Sequence, residues 1–204
     1  MKGNSVLLVF AFVLIIAGCA ALSPSRSLGT KYRYEYQLVK PDSTIELRWE
    51  DEKISIAFNV SDKAINFTLR NNTKEVMRLI WDEATIVQFG KAQRVMHSGV
   101  KYINRNEAQL PSTIPGGTSI DDMALPSENV YYREGYYSAY SSIPGSWEEQ
   151  DLLPSYDLNK PDVRETILNL KGSSIGLYLP IQYQGKTLDY TFEFVVSNVI
   201  PVPS

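Results

Sequence analysis

The 204-residue chain is expected to fold as an all-β protein, an immunoglobulin-like antiparallel β-sandwich with at most one short helix. Three observations predict it. From Lys31 onward apolar and polar residues alternate with a period close to two. The alternating runs recur at roughly 10-residue spacing with turn residues between them. Only Pro161 to Leu170 carries helix signals, with proline at a plausible first turn and carboxylates near its start.

The first run places Tyr32, Tyr34, Tyr36 and Leu38 on one face and Arg33, Glu35 and Gln37 on the other, a strand with one dry side. Ile45, Leu47 and Trp49 repeat the pattern, then Ile54, Ile56 and Phe58, then Ile65, Phe67 and Leu69, each set separated by charged or Asn/Asp-containing breaks. Asn71-Asn72-Thr73 reads as a turn, followed by strands over Val76 to Trp81 and Thr85 to Phe89. Gly90-Lys91 is a tight reversal into Ala92 to Met96. Ile175 to Tyr183 and Thr187 to Val196 flank Gln184-Gly185-Lys186 as a long hairpin, with Tyr190, Phe192 and Phe194 on its apolar side.

Composition narrows the function classes. Hydrophobic residues make up 44% and charged residues 21%, the balance of a globular domain, which excludes disorder as the main state. The net charge of -3 offers no positive field for a phosphate backbone, so nucleic acid is not an expected partner. One cysteine and one histidine cannot build a disulfide framework or a Cys/His zinc site, and no motif calls for a cofactor or a metal.

The first residues have the order of a secretory signal: Lys2, the apolar run Ser5 to Ala17, then small residues. The run ends Ile16-Ala17-Gly18-Cys19, which resembles the lipobox of bacterial lipoproteins. The resemblance implies cleavage before Cys19, a diacylglyceryl group on its thiol and acylation of the freed amine. It divides the chain into a signal peptide over 1–18, a lipidated tether over 19–30 and a sandwich over 31–204. An uncleaved anchor is the alternative, since Ser5 to Leu22 would span about 27 Å as a helix, barely a hydrocarbon core. The chain's only cysteine standing where the lipobox requires one favours lipidation. Ala20, with no Asp after Cys19, resembles the pattern that leaves a lipoprotein free to reach the outer membrane, facing the periplasm. Ala20 to Thr30 holds Ser, Pro and Gly without apolar period and would span roughly 18 Å on average and about 36 Å at most.

A second resemblance rests on Phe67-Thr68-Leu69-Arg70-Asn71-Asn72-Thr73, Trp81-Asp82-Glu83-Ala84, Arg94-Val95-Met96-His97-Ser98-Gly99-Val100 and Leu179-Pro180-Ile181. These segments look like those of a group of uncharacterised bacterial envelope lipoproteins, over about residues 50 to 196. The resemblance implies fold and location and no activity.

Chemistry-bearing residues are few. His97 has Ser98 beside it and carboxylates at Asp82, Asp121 and Asp122, yet neighbours on a strand point to opposite faces and no Gly-x-Ser-x-Gly elbow exists. Asp121-Asp122 and Glu148-Glu149 read as solvated loop charge rather than an acid pair flanking a cleft. Asp157, Asn159 and Asp162 offer oxygen ligands without the spacing of a calcium loop. Pro115 to Gly117 reads as a turn, lacking the Lys and Ser/Thr of a phosphate loop. The sequon Asn66-Phe67-Thr68 is discounted because Phe67 faces the core.

Tyr131 to Trp147 (YYREGYYSAYSSIPGSW) has the most functional character. It mixes Tyr131, Tyr132, Tyr136, Tyr137, Tyr140 and Trp147 with Ser and Gly and fits no secondary-structure period. The composition is that of recognition loops, so these six residues are candidate ligand contacts for envelope glycan or protein, with Arg133 and Glu134 as polar partners. The competing role is a lid over a sheet. The expected function is a lipid-anchored, non-enzymatic binding or structural module held to the membrane through Cys19. A hydrolase acting on envelope sugar or peptide is the alternative and needs convergent carboxylates or an activated His97.

Overall fold

The computed structural model describes residues 29–202. The expected signal peptide over 1–18, Cys19 and most of the expected tether over 19–30 therefore lie outside the described residues. The alternating runs do form antiparallel strands: β1 (Lys31–Lys40), β2 (Arg48–Glu50), β3 (Ile54–Val60), β4 (Ile65–Asn71), β5 (Met77–Leu79), β6 (Thr85–Gln88) and β7 (Lys91–Met96). They continue as β8 (Ser112–Ile114), β9 (Ser119–Pro126), β10 (Val130–Arg133), β11 (Tyr136–Tyr137), β12 (Ser142–Ile143), β13 (Ser146–Glu149), β14 (Ser174–Tyr183) and β15 (Lys186–Val202). The one α-helix among the described residues is α1 (Pro161–Leu168), which starts on proline, carries Asp162 in its first turn and buries Ile167.

Eleven strands share one hydrogen-bonded sheet, in the order β1-β15-β14-β6-β7-β9-β4-β3-β2, with β5 on the far end of β14 and β8 beside it. The β7–β9 seam joins the two halves through only Val95 opposite Pro126 and Met96 opposite Leu125. The halves face one another across an aromatic core. Phe58 of β3 meets Phe192 and Phe194 of β15 edge-on at 4.8 and 4.9 Å, and Trp49 of β2 meets Tyr190 and Phe192 at 5.7 and 5.8 Å. Such tilted pairs at 4.5–7 Å add to the burial of apolar area that holds the layers together. The dry sides expected for β1, β3, β4 and β15 are the ones buried here.

Gln184-Gly185 closes the β14–β15 hairpin with both residues at positive φ, the geometry of a two-residue turn whose twist matches its strands. Pro115 to Gly117 is a turn, with the Thr118 N–H donating to the Pro115 carbonyl at 3.2 Å.

Three expectations need correction. Ile45 is 82% exposed and belongs to a loop, because the chain turns back for a Leu38–Thr44 bridge and Leu47 takes a positive φ before β2 begins. Asn71-Asn72-Thr73 is not only a surface turn: Asn71 ends β4 and is fully buried. Asp121 and Asp122 lie on β9, and Glu148 and Glu149 on β13, so neither pair is loop charge. Just before β1, the Thr30 N–H donates to Asp157 Oδ1 at 2.9 Å and Gly29 lies against the same loop.

Candidate functional site

Tyr131 to Trp147 is a β-ribbon rather than an aperiodic loop. β10 pairs β13 with Tyr131 opposite Glu148 and Tyr132 opposite Trp147, and β11 pairs β12 with Tyr136 opposite Ile143. Between the two short ladders Gly135 faces Gly145 so closely that a Cβ on Gly135 would stand 2.7 Å from the Gly145 nitrogen and the Ile143 carbonyl. Gly135 is needed because no side chain fits between the backbones, and Gly145 because a Cβ there would collide with the Tyr132 hydroxyl. The tip is a tight turn over Ser138 to Ser141. The Ser138 N–H donates to the Ser141 carbonyl at 2.8 Å, and the Ser138 hydroxyl oxygen accepts the N–H groups of Tyr140 and Ser141.

The base of the ribbon is docked. Trp147 packs on Tyr132 at 5.4 Å and Tyr102 at 6.2 Å, with the Arg105 guanidinium over its ring at 5.0 Å. Val130 belongs to a small second core with Ala64, Met96 and Leu125. Glu149 accepts a hydrogen bond from the Tyr102 hydroxyl and pairs with Lys63 at 3.2 Å. The Tyr102 bond, then Lys63, hold the Glu149 carboxyl below its ordinary value, and the same bond raises the Tyr102 hydroxyl. On the opposite face Glu148 accepts from Arg133 at 2.8 Å and Tyr131 at 3.2 Å.

The tip is bare. Tyr140 is 99% exposed, and Tyr136, Tyr137 and Ile143 are each more than half exposed. From Gly135 to Trp147 the chain carries no Asp, Glu, Lys, Arg or His. The predicted aromatic residues therefore divide by role: Trp147 seats the ribbon on Tyr102 and Arg105, half-exposed Tyr132 packs on Trp147 and Tyr131 bonds Glu148, while Tyr136, Tyr137 and Tyr140 project from the ribbon. The projecting rings cover no core, which removes the lid role for them.

His97 is brought to Asp122 by the β7–β9 seam, with Nδ1 3.4 Å from Asp122 Oδ2 and the ring stacked on Trp81 at 4.5 Å. It lines a groove of about 570 Å³ with Gln109 and Ser112. Asp122 Oδ1 is occupied by the N–H groups of Ser98 and Met123 at 2.8 Å, and Nδ1 has no hydrogen-bond partner. Among the described residues no hydroxyl group bonds to the imidazole, although Ser98 and Ser112 line the same groove.

Asp157 has a structural task. Its Oδ1 accepts from Asn159 and Thr30, and the Asn159 bond first, then Thr30, lower its carboxyl. Among the described residues no cluster of three or more His, Cys, Asp or Glu side chains is placed to hold a metal ion. Sequence reasoning missed a groove of about 570 Å³ whose lining mixes Arg48 and Arg70 with Asp42, Glu46 and Glu50. Its signal in the sequence is the polar half of the alternation on β2 to β4.

No family model, curated protein or solved structure matches this chain.

Proposed function

We propose that this chain is a lipid-anchored protein of the bacterial cell envelope, at the outer membrane and facing the periplasm, acting as a non-enzymatic binding or structural module. Cys19 is its attachment point and the ribbon its contact element. One observation carries the binding role: three tyrosines and an isoleucine are held in solvent at the uncharged end of a docked, glycine-pinched ribbon. Exposed apolar side chains grouped this way mark an interaction surface. The lipobox at Ile16 to Cys19 supports the anchor.

Two measurements test the parts separately. Metabolic labelling with a fatty-acid probe should mark the protein, and Cys19→Ser should abolish the label and reduce membrane retention to the weak residual binding that the ribbon alone supplies. Tyr136→Ala with Tyr137→Ala should leave the melting temperature unchanged and weaken retention of the Cys19→Ser chain on envelope fractions. Lost stability with unchanged retention would return the ribbon to a purely structural role.

The hydrolase reading is favoured by the His97–Asp122 pair beside a groove. It predicts release of sugar or peptide fragments from isolated envelope polymers by the purified chain, abolished by His97→Ala. Absence of turnover in the intact protein ends it.

A further inference from the structure

We propose that the occupant of the ribbon tip is the lipid–water interface of the same bilayer that holds Cys19, so that the protein touches its membrane at two points. This names the partner of the contact element proposed above and rests on the lipid-anchor reading.

Consecutive residues of the β3–β4 turn hold both the tether exit and the ribbon base, Asp62 pairing with Lys31 at 2.8 Å and Lys63 with Glu149 at 3.2 Å. The link from the ribbon returns at once to the same place, where the Leu152 N–H donates to the Asp62 carbonyl at 2.7 Å and the Tyr32 N–H to the Ser155 carbonyl at 2.7 Å. The ribbon and the tether therefore leave the sandwich from one end. From Val130 to the Ser138 turn is eight residues, about 26 Å of strand at roughly 3.3 Å each. With Gly29 and Thr30 clamped, residues 20–28 would span roughly 17 Å on average and about 32 Å at most, and the ribbon's reach lies between the two, so the anchored body can rest on its ribbon without straining the tether.

The chemistry of the tip suits the same boundary. Thirteen successive residues, Gly135 to Trp147, bring no charge that would need desolvation at a headgroup boundary. Tyrosine combines an apolar ring with a hydroxyl that stays wet, the property that enriches it at membrane interfaces. The turn satisfies much of its own backbone, since Ser138 supplies partners for Tyr140 and Ser141. Fewer amides are thus left bare when water is removed. The ion pairs of the ribbon, Arg133–Glu148 and Lys63–Glu149, sit at its base, outside the zone that would enter. Tethering also removes the need for strong intrinsic affinity, because the anchor keeps the tip at high local concentration beside its target.

The test uses the full chain, acylated by its bacterial host and reconstituted into vesicles of phosphatidylethanolamine and phosphatidylglycerol with or without brominated acyl chains. Tyr140→Trp places a reporter at the apex, and the unsubstituted chain supplies the background of Trp49, Trp81 and Trp147. The added emission should lose roughly half its intensity in brominated vesicles, as expected for a ring about 5–10 Å into the interface. A chain that floats with the vesicles but whose added emission is unquenched overturns the proposal and leaves a glycan or protein as the occupant. A wild-type chain that carries no acyl group, and whose Cys19→Ser variant floats equally well, overturns the anchor reading instead. Tyr136→Ser, Tyr137→Ser, Tyr140→Ser and Ile143→Ser together should preserve flotation of the acylated chain and its melting temperature. They should remove residual vesicle binding from the Cys19→Ser chain; unchanged residual binding also refutes the contact.

Discussion

Replacing Asn71 with alanine should be among the most damaging polar substitutions in this protein. The side chain is fully buried at the end of β4 and makes four hydrogen bonds. Its amide donates to the carbonyls of Glu75 at 2.7 Å and Ile114 at 2.9 Å, and its oxygen accepts the backbone N–H and hydroxyl of Thr73 at 2.9 and 2.8 Å. The Asn71→Ala change strands the Ile114 carbonyl in a region water does not reach, at a cost of about 1–3 kcal/mol. The bonds to Thr73 and Glu75 lie nearer solvent and contribute about 0.5–1 kcal/mol each before water replaces part of them. A total near 3 kcal/mol follows, or a fall in melting temperature of about 6–12 °C for a domain of this size. Urea denaturation followed by tryptophan fluorescence measures it directly, with Asn71→Asp as the control. Aspartate keeps the volume and the acceptor but cannot donate while ionised, so it should be at least as unstable at neutral pH. An Asn71→Ala protein within about 1 kcal/mol of wild type, or a benign Asn71→Asp, would show that the loop is held by packing rather than by these bonds.

Ile45→Ser should change stability by no more than about 0.5 kcal/mol, whereas Ile56→Ala, at a position 2% exposed, should cost about 2–5 kcal/mol; denaturant midpoints compare them. Gly135→Ala should raise hydrogen exchange across β11 and β12 while leaving the global melting temperature unchanged, because the clash falls between ribbon backbones rather than in the core. Asp157 and Glu193 ionise below 3.8 and 4.5, held down by Asn159 and by Lys40 respectively. Their stabilisation is complete above those values and is lost as the pH falls through the lower folded ones, so Asp157→Asn should flatten the melting curve below about pH 4. Burial, with the charges of Asp151 and Asp62, pushes the Tyr34 hydroxyl from 10.0 up to about 12. Its contribution is full below pH 10 and fades as the pH rises toward 12, and Tyr34→Phe should lessen that alkaline loss in a pH series of thermal melts.

Strands with one wet and one dry side were legible because the chain writes both sides in turn. Tyr32, Tyr34 and Leu38, and Phe192, Phe194 and Val196, are all buried as their alternation requires. Ile45 misled because hydrophobicity marks a position only if the backbone keeps its direction, and the chain reverses there. β9 was missed since Met123, Ala124 and Leu125 are successive apolar residues with no period, and its partner β4 lies some fifty positions earlier. The ribbon was recognised by composition, not by periodicity, because both of its faces carry aromatic rings and the two-residue ladders are too short to repeat. The meeting of His97 and Asp122 was beyond reach for a related reason: it depends on the β7–β9 seam, and nothing local at either residue announces the other.

The edge strand β1 also determines how the molecule resists being tugged. Gly29 and Thr30 are clamped by Asp157, and behind them nine register pairs fasten β1 to β15. A force drawn out through the leading segment along the strand axis works against all nine pairs in shear, after first having to break the clamp. The same force applied sideways would peel them one at a time. The strand is therefore far tougher when loaded along its own axis than across it, and Asp157→Ala should lower the first rupture force in single-molecule pulling from that end.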